Sequence, residues 1–551
     1  MRDQVQKLLS EAVERAVAEL RPGRTERLPE VQVGPTKTRD HGDFACNAAL
    51  MLAKSLGRKP REIAERIVAA IEDPDAILSR VEIAGPGFIN CYLAEGRFHE
   101  VLARVLEAGS AWGRSERGAG ERVLIEFVSA NPTGPLHIGH GRNAVVGDAV
   151  ARLLEATGSG VTREYYFNDA GRQMRVLGES LRARYEQALG RDTALPEEGY
   201  QGEYLVEVAR ALAAEQGDAL VDADLDRFRE VAQDAIFADI RETLERLGIH
   251  FDVYYNENSL YSEGKVERAL EDLRREDLVF EQDGATWFRA MQFGHDRDRV
   301  LVKSSGEPTY LLPDIAYHRE KFQRGFDRLI DVWGPDHIEQ FPYLREATTR
   351  LGFDGEKMEV IHYQWVNLRR RGELVSMSTR AASFVSVDDL LDEVDVDVFR
   401  YFMLERRTDT HFDFDVDLAK DRSERNPVYK IQYAHARMCS IERKAEERGI
   451  GVENAPLERL DLPPEIELAK RVARFPEIVL RATREREPQE IARYLLDLAT
   501  AFHTYVSDSE RHRVLSDDVD LSRARLALVR SIRTTLGNGL ELLGIGAPER
   551  M

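Results

Sequence analysis

Cysteine is almost missing from this chain. Its three cysteines, Cys46, Cys91 and Cys439, lie far apart and form no CxxC pair in 551 residues. That excludes a zinc ribbon or disulfide framework, so no bound zinc is expected, and it fits a reducing cytoplasm. Long hydrophobic runs are missing too. No apolar stretch approaches the roughly 20 residues that span a bilayer, which predicts no membrane partner. The N-terminus, Met1-Arg-Asp-Gln-Val-Gln-Lys-Leu-Leu, starts an amphipathic helix and lacks a signal-peptide apolar block. Basic charge is short: 77 Lys and Arg against 98 Asp and Glu give a net charge of −21. In bulk this counts against nucleic acid, whose phosphates need Lys and Arg, but local patches decide binding. Arg369-Arg370-Arg371 is either such a patch or a solvated loop. Finally, there is no Walker loop and no GxGxxG fingerprint, so any nucleotide site must be built another way.

What is present is ample core. Hydrophobic residues make up 43% and charged residues 32%, as in soluble globular proteins, and about 150 residues per domain suggests some three domains. Residues 1–108 read as a small α+β domain: a helix carries Val5, Leu8, Leu9, Val13, Ala16, Val17 and Leu20 on one side. More helix follows between Phe44 and Ile71, then two strands around Gly85-Pro-Gly87. Residues 109–121 have linker composition. An α/β domain is expected over 122–390, with a charged helical insertion over about 171–290, densest from Gly171 to Leu247. Strands of one sheet are expected at 286–288, 300–302, 309–312, 328–333 and 359–362. A connecting segment, 391–425, leads to an all-helical domain over 426–551.

The most informative stretch is Leu124-Ile-Glu126-Phe-Val-Ser-Ala-Asn131-Pro-Thr-Gly-Pro-Leu-His137-Ile-Gly139-His140. An apolar strand enters a Pro/Gly turn that delivers two histidines to a helix start, the helix showing in Val145, Val146, Ala149, Val150, Leu153 and Leu154. A helix N-terminus is electropositive and attracts phosphate, and His137 and His140 share one face there. Gly139 leaves room for a base or phosphate to approach the backbone. Positioned imidazoles could then donate to phosphate oxygens as charge develops.

With these residues in view the chain resembles arginyl-tRNA synthetases, class I enzymes with a HIGH-type signature, over almost its whole length. The strings carrying the resemblance are Glu126-Phe-Val-Ser-Ala-Asn131-Pro before His137-Ile-Gly-His140, Asp283-Gly-Ala285, and Lys303-Ser-Ser-Gly306 leading into Tyr310-Leu-Leu-Pro-Asp314-Ile-Ala-Tyr-His318. Asn426-Pro-Val-Tyr429 and Gln432-Tyr-Ala-His-Ala-Arg437 open the tail, and Leu542 to Met551 looks like the family's terminus, so a complete chain is expected. The resemblance implies a Rossmann-type catalytic core between an N-terminal α+β domain that touches the tRNA's outer corner and a helical anticodon-binding domain. It implies that arginine and ATP, with Mg2+, form arginyl-adenylate, which is passed to tRNA(Arg) by a cytoplasmic monomer.

Residue by residue, the resemblance places His137, Gly139 and His140 in catalysis. Glu126, Asn131, Tyr310 and Asp314 match its arginine pocket. A guanidinium is planar, always charged and carries five donors, so paired carboxylates suit it and penalise lysine or citrulline. Trp333-Gly-Pro-Asp336-His337 resembles a segment near the nucleotide, and as a bare string also a strand-ending turn. Tyr433, His435, Arg437, Phe502, His503 and Tyr505, with Met551, are candidates for the tRNA, the rings by stacking on bases or, equally, as packing. Asp413-Phe-Asp415-Val-Asp417 with Glu424 mimics a calcium loop, but Leu418 stands where the turn needs glycine. Rival readings are a cysteinyl-tRNA synthetase, which should show zinc-ligand cysteines, a small-acid ligase, which needs no helical tail, and a catalytically silent tRNA binder.

The sequence departs from the family at the second class I signature. Where Lys-Met-Ser-Lys is common, it reads Ser376-Met377-Ser378-Thr379-Arg380, and Gly134 stands near the place where some relatives carry a substitute lysine. Met377 and Ser378 remain as nucleotide contacts, and Arg380 is the expected cation for pyrophosphate. Arg380→Ala is therefore predicted to abolish arginine-dependent pyrophosphate exchange while sparing tRNA binding; near-normal exchange would sink that role.

Overall fold

The computed structural model describes residues 1–22, 28–36, 41–169, 171–375 and 385–551. Two compact units share the chain: one takes 1–109, 441–473 and 508–532, the other 110–440, 474–507 and 533–551. The helical tail, read from sequence as one block, is thus divided between them.

The first unit holds a four-stranded antiparallel sheet in the order Val33–Pro35, Phe44–Cys46, Phe88–Leu93, Leu78–Ala84. The helix Arg2–Leu20 buries Val5, Leu8, Leu9, Ala12, Val13, Ala16 and Val17, the stripe its spacing predicts. At the hairpin, Gly87 sits at φ 146°, and a Cβ there would meet the Pro60 carbonyl at 2.9 Å. Only glycine fits. Tail segments join this unit through polar contacts: Lys470 Nζ donates to Asp43 Oδ1 at 2.6 Å, and His99 Nε2 lies 3.0 Å from the Leu460 carbonyl.

The second unit is built on five parallel strands: β1 (Arg122–Glu126), β2 (Gly160–Phe167), β3 (Val253–Asn256), β4 (Arg328–Trp333) and β5 (Met358–His362). Their order is β5-β4-β1-β2-β3. Val123, Leu124 and Ile125 are wholly buried, as a central parallel strand covered on both faces requires. Helix α1 (Ile138–Ala156) connects β1 to β2. The chain moves to one side of β1 for β2 and β3 and to the other for β4 and β5. That reversal is where open α/β sheets collect ligands, beyond the strand C-termini.

Several expectations need correction. Ala285–Phe288 and Arg299–Val302 are not in this sheet; with Val279–Gln282 they form a separate three-stranded antiparallel sheet. The cause is the two-residue turn Asp283-Gly284, both at positive φ (52° and 75°), which closes a hairpin and cannot make a parallel crossover. The run 309–312 is no strand either: helix α2 spans Leu311–Gln323, its Leu311, Leu312, Ile315 and Ala316 buried at helical spacing. A short apolar run does not separate the two by itself. The insertion contains the helices Gly171–Ala188, Glu203–Gln216 and Leu225–Arg246, but β3 lies inside the range read as insertion. The stretch of linker composition is pinned down, Ser115 N donating to Ala156 O at 2.9 Å and Gly118 N to Thr157 O at 2.8 Å.

The basic triplet and the calcium mimic answer each other. Arg369 pairs with Asp413 at 2.5 Å, Arg370 with Glu393 at 2.6 Å, and Asp417 accepts from Arg371 N at 2.5 Å. Asp415 caps the helix Val416–Ala419. Arg400, on the helix Val396–Leu404, fixes the unit together. Its guanidinium donates to Asp148 Oδ2 on α1 at 2.5 Å, to Leu247 O at 2.8 Å and to Leu543 O at 2.9 and 3.0 Å. Both charges are buried, Arg400 at 1% and Asp148 at 2% exposure. Breaking such a pair strands a charge, so Arg400→Met is predicted to lower stability by about 3–5 kcal/mol in urea unfolding; a loss under about 1 kcal/mol would contradict it.

Candidate active site

Beyond β1 the backbone turns sharply. Val128 and Ser129 both take positive φ (64° and 45°), which a β-branched residue seldom tolerates. Asn143 on α1 holds the turn: its Oδ1 accepts from Val128 N at 2.6 Å and its Nδ2 donates to Val332 O at 2.9 Å. One buried amide thereby ties the turn after β1 to the end of β4.

The turn ends at His137, the N-cap of α1. Its Nδ1 accepts from the backbone N–H groups of Gly139 (3.1 Å) and His140 (3.4 Å), while His140 Nδ1 accepts from His137 N at 3.4 Å. The rings stack with centroids 3.7 Å apart. This is a capping box made of two imidazoles. A neutral ring that accepts at Nδ1 must carry its proton on Nε2, so each histidine presents an Nε2–H donor. Burial lowers the pKa of both rings, well below the ordinary range for His140, where His137 adds to the effect. The pair is thus neutral near pH 7. What Gly139 makes room for is the His137 ring itself, whose Cε1 would lie 2.9 Å from a Cβ there.

Beside this turn is a cluster of acids. Glu126 is 7% exposed; its Oε1 accepts from the Ser129 hydroxyl at 2.8 Å and its Oε2 from Lys321 Nζ at 2.5 Å. Asp314, half-buried in the first turn of α2, accepts from Gln340 Nε2 and has no ion pair among the described residues. Burial, then the charges of Glu126 and Glu257, push its carboxyl well above the carboxylate range. Burial likewise raises Tyr166, and Glu257, Asp314 and Glu126 reinforce it. Tyr261 is pushed up to about 12 by burial, Glu257 and Asp314. Several carboxylates therefore converge with too little positive charge, an arrangement that favours a cationic ligand.

The remaining sequence candidates are placed unevenly. Asn131 is exposed; its Oδ1 accepts from Asn168 N at 3.1 Å and its Nδ2 donates to Gln173 at 3.3 Å, tying the turn to the end of β2. Tyr310 stands at the N-cap of α2 and is 85% exposed. Asp336 and His337 are exposed in the turn after β4, with the Trp333 and His337 rings 6.0 Å apart. Met377, Ser378 and Arg380 lie outside the described residues. In the tail, His435, Phe502 and Tyr505 are buried, and His435 Nδ1 lies 3.0 Å from Pro548 O. Their rings belong to the core and offer no face to a base, a correction to the stacking role. Tyr433, 46% exposed, stacks on His503 at 5.7 Å; Arg437 is half-buried and Met551 exposed. Met551 lines a cleft with Tyr429, Gln432 and Pro548.

Sequence reasoning missed Lys321, Asp331, His318, Gln340 and Glu257. A signal existed for three: Asp331 is a lone acid inside an apolar strand, and His318 and Lys321 follow Asp314 at i+4 and i+7, on one helix face. Among the described residues no group of three or more His, Cys, Asp or Glu is arranged to hold a metal ion.

A parallel sheet with a histidine-capped helix at its switch point defines a class I synthetase core, and comparison with known proteins agrees. Residues 102–413 match the family described as tRNA synthetases class I (R), catalytic domain. Residues 431–551 match the DALR anticodon binding domain and 3–93 the arginyl tRNA synthetase N terminal domain. The arginine–tRNA ligase of Desulfotalea psychrophila is 49% identical over 94% of both chains, and that of Bacillus licheniformis 45% over 100% of this chain and 99% of its own. The Thermus thermophilus arginyl-tRNA synthetase structure superposes with TM-score 0.78 at 25% identity, covering 100% of each chain. The chain belongs to the arginyl-tRNA synthetase family.

The lowered histidines have a stability consequence. Groups with depressed folded values bind fewer protons folded than unfolded, so their contribution is present above the unfolded value, about 6.5, and is lost as pH falls through the folded values. Between about pH 7 and pH 5 the melting temperature should fall more for the native chain than for a His137→Asn/His140→Asn variant. Parallel melting curves would contradict this.

Proposed function

We propose that this chain joins L-arginine to tRNA(Arg) in two steps. An arginine carboxylate oxygen attacks the α-phosphorus of ATP, which is bound with Mg2+, and pyrophosphate leaves. The 2′-hydroxyl of the terminal adenosine then attacks the activated carbonyl, and AMP leaves. The observation that carries this reading is the convergence of Glu126 and Asp314 beside the histidine turn, close enough for the Glu126 charge to raise the Asp314 carboxyl. A permanently charged guanidinium relieves that repulsion, and its planar fork can be shared between two carboxylates.

On this reading the Nε2–H groups of His137 and His140 donate to ATP phosphate oxygens at the α1 N-terminus, where the helix dipole also favours negative charge. Gly139 lets the His137 ring fold over the helix end. Asn131 and Tyr310 stand at the pocket mouth, Asp336 and His337 on the nucleotide side. Met377, Ser378 and Arg380 would serve the phosphates from the second signature. The exposed Tyr433 and Met551 and the half-buried Arg437 are proposed to meet the tRNA. Residues 1–108 would form its outer-corner domain, 109–121 the link, 122–390 the catalytic domain, 391–425 the connector and 426–551 the anticodon domain. We place the enzyme in the cytoplasm as a monomer; its three cysteines, all buried and none in a disulfide, suit a reducing compartment.

The test is arginine-dependent ATP–pyrophosphate exchange with and without tRNA. Exchange is expected with tRNA present; none under either condition would favour a silent tRNA binder. Asp314→Asn should raise the KM for arginine about 10–100-fold, the worth of one charge-assisted hydrogen bond, and leave the KM for ATP within a few-fold. An unchanged arginine KM would remove Asp314 from the pocket.

A further inference from the structure

Three carboxylates stand in one row across the middle of the sheet. Asp331 on β4 is in register with Glu126 on β1, and Glu126 with Glu164 on β2. Their exposures are 1%, 7% and 0%. Acids directly opposite on neighbouring strands repel, and burial removes the water that would screen them. Helix α2 supplies the answer from a single face. Tyr317 donates to Glu164 at 2.5 Å, and Arg324, just past the helix end, grips the same carboxylate at 2.5 and 2.9 Å. His318 Nε2 lies 2.8 Å from Asp331 Oδ2 and its Nδ1 2.8 Å from Asp314 O, so the ring is held between the helix backbone and the Asp331 carboxylate. Lys321, wholly buried, donates to Glu126 Oε2 at 2.5 Å and to Asp331 Oδ1 at 2.8 Å.

We infer that Lys321 is a specificity-determining positioning residue: by bridging Asp331 and Glu126 it keeps Glu126 an aimed carboxylate, so that the pocket selects a cationic guanidinium over a neutral ureido group. The inference rests on the arginine reading above. A carboxylate offers about four acceptor sites. Glu126 uses one on Ser129 and one on Lys321, which leaves a site on each oxygen for a ligand fork. The charged and titratable groups around it are Lys321, His318, Tyr317 and Asp314 from α2, Asp331 from β4, and Glu164 and Tyr166 from β2. Lys321 lies in direct ion-pair contact with it. Burial, with the Asp331 charge, raises the Glu126 carboxyl above its ordinary value, and the Lys321 ammonium is the main influence opposing that; without the ammonium the buried carboxylate takes up a proton more readily still. Protonated, Glu126 becomes an O–H donor, which suits the carbonyl of citrulline and forfeits the attraction to arginine.

Three variants and one substrate pair test this, with purified bacterial tRNA present: Lys321→Met, Lys321→Arg and the double change Lys321→Met/Asp331→Asn. The double change removes one positive and one negative charge together, so the cluster's net charge is unaltered and the chain can fold even if Lys321→Met alone does not. In the double variant the kcat/KM ratio for arginine over citrulline should fall at least about tenfold, mainly through the arginine KM. That KM should be highest at acid pH and drop as pH rises and Glu126 loses its proton, and this drop should extend to higher pH than in the native chain. Lys321→Arg, which keeps the cation, should recover most of the discrimination. A double variant with native discrimination and the native KM profile would overturn the inference and leave Lys321 as a folding residue only. Failure of the unmodified chain to activate arginine would overturn the arginine reading, and this inference with it.

Discussion

The ion-pair row beneath the active-site edge is the constraint on which the rest depends. Burying one carboxylate without a partner costs several kcal/mol, and three in register would unfold a sheet of this size. Asp331, Glu126 and Glu164 are nevertheless buried side by side, because Lys321, His318 and Arg324 arrive from one helix and its cap. Lys321 and Arg324 bring the positive charge, and His318 adds a ring contact to Asp331. Asp314, on the same face, has no ion pair among the described residues, and Glu126 and Glu257 both raise its carboxyl. Such an excess of acid favours a cationic ligand.

The histidine turn solves the opposite problem next door. Polyanionic ATP and an acidic pocket repel each other, so the phosphate end cannot rely on the pocket's own field. Nor does it rely on charged imidazoles, since burial keeps both rings neutral. It uses fixed dipoles: two Nε2–H groups and the dipole of α1, held by a strained turn that Asn143 clamps from both sides. Preorganised dipoles need no reorganisation when charge moves between phosphates, which is the useful property in phosphoryl-type chemistry.

Much of this was legible in the sequence, and the failures have physical causes. The strand–turn–helix around His137 and His140 was clear because an apolar β run, Pro/Gly turn and helical spacing each point the same way. Glu126 and Asp314 were found through a resemblance, and geometry then gave them a shared environment. Lys321 was missed because burying a lysine is a tertiary event: its i+7 spacing from Asp314 puts it on the right helix face, but nothing local tells a buried helix-face lysine from a solvated one. The two antiparallel strands near 286 and 300 were found but put in the wrong sheet, although Asp283-Gly284 announces a hairpin. His435, Phe502 and Tyr505 stayed undecided between stacking and packing because an aromatic residue on an amphipathic helix has the same composition inside the core or outside it; their burial puts them in the core.

The net charge of −21, which at first counts against a nucleic-acid partner, takes a different meaning once the pairs are placed. A large share of the basic side chains is committed within the protein: Arg369 and Arg370 to Asp413 and Glu393, Arg400 to Asp148, Arg525 to Glu465. Paired arginines contribute little field at the surface, so neither the total count of bases nor the net charge measures what a phosphate backbone would meet. Geometry decides instead. The same economy governs the pocket, where Lys321 could pass for surplus positive charge in an arginine site. Placed between Glu126 and Asp331, it is what allows two neighbouring acids to stay charged when no ligand is there.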